Sequence, residues 1–170
     1  MKNFPAIIVL LLVFLGVTAF AVSDNQTEEN PMPASADLLD RLTDEFQYLV
    51  DLSATAAERL DNHIHSQLAL KIADNFQQQN RELCRLIIDR DIPAKREVSE
   101  EQRKAIVSLI PARDRALNAR FESLLRAEFD SLETLINRHK GLIEEREILD
   151  FVDQVEITTD NFRNQIEILQ

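Results

Sequence analysis

Apolar side chains recur at alternating spacings of three and four residues along four segments of the chain, and this period restricts the fold more than any other feature. Such spacing places the apolar side chains on one face of an α-helix. No run of comparable length alternates apolar and polar residues, as a half-buried strand does. We therefore predict an all-α protein, an up-down four-helix bundle with short connectors over residues 37–170. The four stripes run over Leu39–Leu60, Ile64–Ile87, Leu117–His139 and Ile148–Leu169.

The first two stripes are separated by short polar residues at 61–66. Such side chains compete for backbone hydrogen bonds, so we predict a turn there. The alternative is one continuous helix from 37 to 91, since no Gly or Pro interrupts that stretch. Helices of that length are uncommon in small domains, which favours the turn. Pro93 then ends the second helix, because the residue before proline avoids the α conformation.

A fifth, shorter helix is predicted between the second and third stripes. Ser99 and Gln102 form a capping-box pattern, in which each side chain bonds the backbone of the other residue. The helix that follows is predicted to reach Ile110, before Pro111. Gly141 follows the third stripe, where a helix C-cap is expected.

The first 21 residues have the pattern of a secretory signal peptide. A single positive charge precedes an apolar stretch from 6 to 20, and Ala19 and Ala21 stand at the offsets that signal peptidase requires. Residues 22–36 are polar with two prolines and predict a disordered linker. The alternative is an uncleaved anchor, because the apolar run approaches the length that spans a bilayer. We predict an exported protein, periplasmic rather than extracellular or membrane-anchored, with no membrane contact after cleavage.

The chain is strongly acidic, with 19 Lys and Arg against 30 Asp and Glu. Cleavage removes Lys2 and leaves 18 basic against 30 acidic side chains, a net charge of −12. This charge argues against nucleic acid and against anionic membranes as partners. It favours a basic partner or a metal ion. Cys84 is the one cysteine in the sequence, so no intrachain disulfide forms, and we expect it to be a buried apolar side chain.

Two small groups of residues are candidate metal ligands. Glu58, Asp61 and His65 are spaced by three and four, which places two carboxylates and an imidazole on one helix face. The alternative is that they cap and solvate the predicted turn. The second candidate pairs His139 on the third stripe with Glu133 beside it. The alternative for His139 is a hydrogen-bonded core residue or a cation at a helix C-terminus.

Several segments resemble known exported helical proteins. Ser66–Asp74 and Asn80–Leu83, together with Phe121-Glu122 and the later His139, are similar to helices of a bacterial ferritin-like outer membrane protein family of unknown function. That resemblance implies a four-helix domain with a metal site. The sequence departs from the family's Tyr and His positions at Leu125, Glu133 and Gln165. Val98–Arg103 resembles a motif of periplasmic stress chaperones of the Leu-Thr-x-x-Gln type.

The sequence lacks the usual catalytic patterns. It contains no Gly-rich phosphate loop, no nucleophile elbow, no Cys-x-x-Cys and no Glu-x-x-His pair of the di-iron bundles. We therefore predict a non-catalytic exported bundle that acts through contact with a protein partner or a second copy, in envelope stress or as an accessory subunit. The alternative is a periplasmic ferritin-like protein that binds a divalent transition metal.

Overall fold

The computed structural model describes residues 32–93 and 98–169, which contain five α-helices and no β-strand. The all-α prediction is thus confirmed for these residues. The predicted signal peptide and most of the predicted linker lie outside them. No helix among the described residues is both long enough and apolar enough to cross a bilayer. The helices are α1 (Ala34–Ala57), α2 (His63–Ile88), α3 (Glu100–Val107), α4 (Asp114–Lys140) and α5 (Arg146–Ile168).

The predicted break between the first two helices is present, and the continuous helix from 37 to 91 is wrong. α1 ends at Ala57 and α2 begins at His63. Asn62 is the N-cap of α2, and its side-chain oxygen accepts hydrogen bonds from the backbone N–H groups of Ile64 at 2.9 Å and His65 at 3.3 Å. A polar side chain therefore satisfies the first free donors of the new helix, as the sequence predicted.

The first helix begins at Ala34, three residues before the expected start of the domain at Asp37. Ser35 and Ala36, inside the predicted linker 22–36, are buried. The Ser35 hydroxyl donates a hydrogen bond to the Glu145 carboxylate at 3.1 Å, which ties this first turn to the start of α5. Contacts with the rest of the bundle therefore extend the helix into residues whose polar composition predicts a disordered linker.

Helix ends elsewhere follow their local signals. The Ser99 hydroxyl accepts from the Gln102 N–H at 3.1 Å and the Gln102 side chain accepts from the Ser99 N–H at 2.9 Å, which confirms the capping box. The short helix α3 ends at Val107 rather than at Ile110. Gly141 is the C-cap of α4, with φ −70° and ψ −8°. These are ordinary right-handed values, so the position does not require glycine.

Contacts at the helix ends show the directions of the four long helices. The short turn after α1 makes α2 antiparallel to it. His139 near the end of α4 lies 2.8 Å from Asp37 near the start of α1, so α4 is also antiparallel to α1. Arg85 near the end of α2 lies 2.6 Å from Glu147 at the start of α5, so α5 runs antiparallel to α2. α1 and α5 thus point one way, and α2 and α4 point the other.

The connection between α2 and α4 runs back along the molecule. It leaves α2 where Arg90 binds Glu147, and it reaches the opposite end where the Arg59 side chain donates to the Ile110 carbonyl. The predicted alternation with short connectors is therefore wrong at this connection. The stripes give the period of each helix but carry no signal for its direction.

One phenylalanine from each long helix meets in the middle of the core. Phe76 of α2 lies with its ring centroid 5.3 Å from Phe46 of α1, 6.3 Å from Phe129 of α4 and 6.2 Å from Phe162 of α5. The predicted stripes form this core almost without exception. Ile64 is the departure, because its side chain is 60% exposed.

Candidate functional site

A groove of about 720 Å³ lies between α1, α3 and α4. One of its lining residues, Glu128, has a strongly raised pKa. α3 closes one side of it, with Gln102 over α1. Acidic side chains line its interior and two arginines contribute to its walls. The charged and polar side chains of the lining are Arg41, Asp44, Glu45, Ser99, Gln102, Glu128, Asp130, Ser131, Thr134 and Arg138.

Glu128 of α4 is buried in this groove, with 7% of its surface exposed. Its Oε1 atom is buried and has no hydrogen-bond partner among the described residues. A buried polar oxygen without a partner is costly, so it calls for an explanation. Glu128 occupies an apolar-stripe position, because Phe121, Leu125, Glu128 and Leu132 are spaced by four, three and four. The helix therefore turns this carboxyl inward.

Glu45 of α1 faces the same groove and is half-buried. It too stands on a helical spacing of apolar residues, between Leu42 and Leu49. The Gln102 side chain donates a hydrogen bond to its Oε2 atom at 2.7 Å, which attaches α3 to α1. Gln102 thus serves both the capping box of α3 and the wall of the groove.

Glu45 acts on the ionisation of Glu128. Burial, then hydrogen bonding with Glu45 and the charge of Glu45, raise the pKa of Glu128 far above its ordinary value of 4.5. Two neighbouring carboxylates in a low-dielectric site do not both ionise readily. Burial and the neighbouring carboxyl group therefore favour the protonated form of Glu128.

The pKa of Tyr48 is also affected by the two carboxyl groups. Its side chain is buried, and burial followed by the charges of Glu128 and Glu45 raises its pKa to about 12, against a lowering by Arg120. The phenol therefore stays neutral at physiological pH. The interior of the groove is thus acidic around Glu45 and Glu128.

Two charged residues of the walls have partners outside the groove. The Arg41 side chain donates to Asp37 at 3.1 Å, one helical turn earlier. Asp130 pairs with Arg163 of α5 at 3.1 Å. These exposed pairs contribute little stability.

The predicted metal group of Glu58, Asp61 and His65 does not come together as a site. Glu58 is the exposed C-cap of α1 and Asp61 is exposed in the turn. His65 is buried, and its Nε2 lies 3.0 Å from a carboxylate oxygen of Glu122. Within residues 32–93 and 98–169, no three His, Cys, Asp or Glu side chains are placed to hold a metal ion.

The second predicted pair, His139 and Glu133, is also separated. The Nδ1–H of His139 donates to the Leu135 carbonyl at 2.8 Å, and its Nε2 lies 2.8 Å from Asp37. Glu133 pairs instead with Arg163 at 3.1 Å. Burial raises the pKa of Asp37, but hydrogen bonds from His139 and Arg41 outweigh that effect and the pKa falls below 3.8.

Sequence reasoning missed the carboxylate partners of both histidines. Glu122 and Asp37 come from helices distant in the sequence, so no spacing rule points to them. Glu128 had a usable signal, since it lies on a stripe of otherwise apolar residues. Cys84 is half-buried rather than fully buried, with its Sγ 3.8 Å from the Asn80 side chain.

Comparison with known proteins supports the fold and does not identify a family. No protein-family model matches the chain, and no curated protein matches it. A crystal structure of a DUF305 fragment from Deinococcus radiodurans is similar, with a TM-score of 0.71 over 81% of this chain and 95% of that chain. The two sequences are 16% identical. At this identity the likeness shows a shared all-helical fold and nothing about activity.

Proposed function

We propose that the protein is an exported, non-catalytic helical bundle that works by binding a basic segment of a protein partner in the groove between α1, α3 and α4. The observation that carries this proposal is the buried Glu128 carboxyl, whose Oε1 has no hydrogen-bond partner in the described part of the chain. A hydrogen-bond donor on the partner satisfies that oxygen. The net charge of −12 expected after cleavage favours a cationic partner and speeds its encounter.

The arrangement of helices supports a finer description of the fold. Four long helices in which every neighbouring pair is antiparallel, with one long connection between the second and the third, have the topology of ferritin-like bundles. We propose this topology for the chain. A fold of this kind provides a rigid scaffold, and the short helix α3 on its outside forms one wall of the binding groove.

The test is capture of the partner from the native envelope by crosslinking, with two variants of equal charge change. Glu45→Lys places a cation inside the groove, whereas Glu133→Lys places one on an exposed position of α4 that is 54% accessible. We expect wild-type protein and Glu133→Lys to capture the same partner and Glu45→Lys to lose it. Circular dichroism checks that both variants fold. Equal capture by both variants would refute the groove as the binding surface.

A further inference from the structure

At one place in the groove, a single positive charge would stabilise two carboxyl groups that lie close together. Glu45 and Glu128 lie on facing helices, and the Oε1 atom of Glu128 is buried without a partner among the residues described. Glu45 already accepts one hydrogen bond from Gln102. Two carboxyl groups so close together are stable when one positive charge lies between them. In the free protein the raised pKa of Glu128 favours a proton in that place.

We propose that this pair is a lysine-binding subsite, and that a lysine side chain of the partner enters it and donates to the unpartnered Oε1 of Glu128. The inference rests on the proposed function and names the chemistry of its central contact. The bond that breaks is the O–H bond of the protonated Glu128 carboxyl, and its proton passes to solvent water. One ammonium enters as that proton leaves, so the total charge of the pocket stays the same. Binding of the partner is therefore coupled to proton release.

The acceptors of the pocket favour an ammonium over a guanidinium. An ammonium is compact and its donors can turn toward Glu128 Oε1 and the Glu45 carboxylate, which come from two different helices. A guanidinium is planar and needs a flat pair of acceptors on one side. The apolar stem of lysine lies along Leu135 and Ala127, which also line the groove.

Among the described residues that line the groove, no hydrogen bond or ion pair joins a cation to Glu128. The groups from α3 that line the groove, Ser99 and Gln102, are neutral. Those from α1 are Arg41, which binds Asp37, and Asp44, beside Glu45 and Tyr48. Those from α4 are Asp130, which binds Arg163, and Arg138, while Arg120 acts on Tyr48.

The experiment is calorimetric titration with a short peptide of alternating lysine and serine, in two buffers that differ in protonation enthalpy. At neutral pH we expect release of about one proton per peptide bound by wild-type protein. Glu128→Gln is expected to bind at least about tenfold more weakly, with no proton release, because the buried carboxylate is absent. Glu133→Gln is the control and is expected to match wild type. The same peptide with acetylated lysines is expected not to bind.

Binding of the lysine peptide without proton release, equal affinity of Glu128→Gln and wild type, or no binding by wild type would each overturn the inference. The proposed function has a separate test. Capture of an envelope partner that depends on Glu45 while the peptide releases no proton would leave the groove as the binding surface and remove the lysine subsite. Proton release on binding of the peptide, with capture that does not depend on Glu45, would keep the lysine subsite and show that the envelope partner binds elsewhere.

Discussion

Replacement of Glu128 by glutamine keeps the shape of the side chain and removes its titration. In the folded protein Glu128 keeps a proton that the unfolded chain loses above pH 4.5, because burial and Glu45 raise its pKa. The folded state therefore binds more protons than the unfolded state above that pH. The contribution of this group to stability is complete below pH 4.5, and it is lost as pH rises toward the folded pKa.

The magnitude follows from proton linkage. One proton difference between the two states changes the free energy of unfolding by about 1.4 kcal/mol for each pH unit. Between pH 5 and pH 7 the wild-type protein is thus expected to lose about 3 kcal/mol relative to Glu128→Gln. The variant donates to Glu45 through its amide at every pH, so the two proteins are expected to have similar stability near pH 4.5.

The assay is urea unfolding followed by circular dichroism at several pH values from 4.5 to 7.5, for wild type, Glu128→Gln and Glu133→Gln. All three share the titration of the carboxyl groups that lie away from Glu128 and Glu133, and this shared part cancels in the differences. Glu133 is 54% exposed and paired with Arg163, so its variant is expected to follow wild type closely. A difference between wild type and Glu128→Gln that stays constant with pH would refute the assignment of a protonated, buried Glu128.

Three further predictions concern the scaffold and the metal alternative. Gly141→Ala is expected to raise the free energy of unfolding by about 0.4–1 kcal/mol in urea titrations, because a Cβ meets no atom within 4 Å and the backbone is right-handed; a loss of stability would contradict this. Phe76→Ala is expected to cost about 3–5 kcal/mol by the same assay, because Phe76 is fully buried against three other rings, and a cost below about 1 kcal/mol would mean a loosely packed centre. A roughly tenfold excess of Zn²⁺ is expected to leave the melting temperature unchanged; a rise of several degrees that His65→Ala abolishes would restore the predicted metal site.

The helices were predictable because their signals are local. A period of three and four fixes which side chains face inward, and Asn62 and the Ser99–Gln102 capping box fix where two helices begin. These patterns depend on neighbours within one or two turns. The direction of α4 depends on contacts such as His139 with Asp37, which are separated by 102 positions in the sequence. Local patterns do not contain that information.

The candidate site was less predictable for a related reason. A search for metal ligands groups residues that are close in sequence, as with Glu58, Asp61 and His65, but the structure pairs His65 with Glu122 of another helix. The informative feature was a carboxylate at an apolar position. Glu128 interrupts a stripe of large apolar side chains, and buried carboxyls are rare unless they have a role or a partner.

Glu128 is expected to hold a proton that a basic partner replaces. The ¹³C chemical shift of its side-chain carboxyl across pH, for the free protein and with the lysine–serine peptide, reports this exchange. We expect the free protein to show a protonated carboxyl through pH 7, and the peptide to convert it to the ionised form at that pH. An ionised carboxyl at pH 6 in the free protein, or a carboxyl that stays protonated when the peptide is bound, would contradict the account.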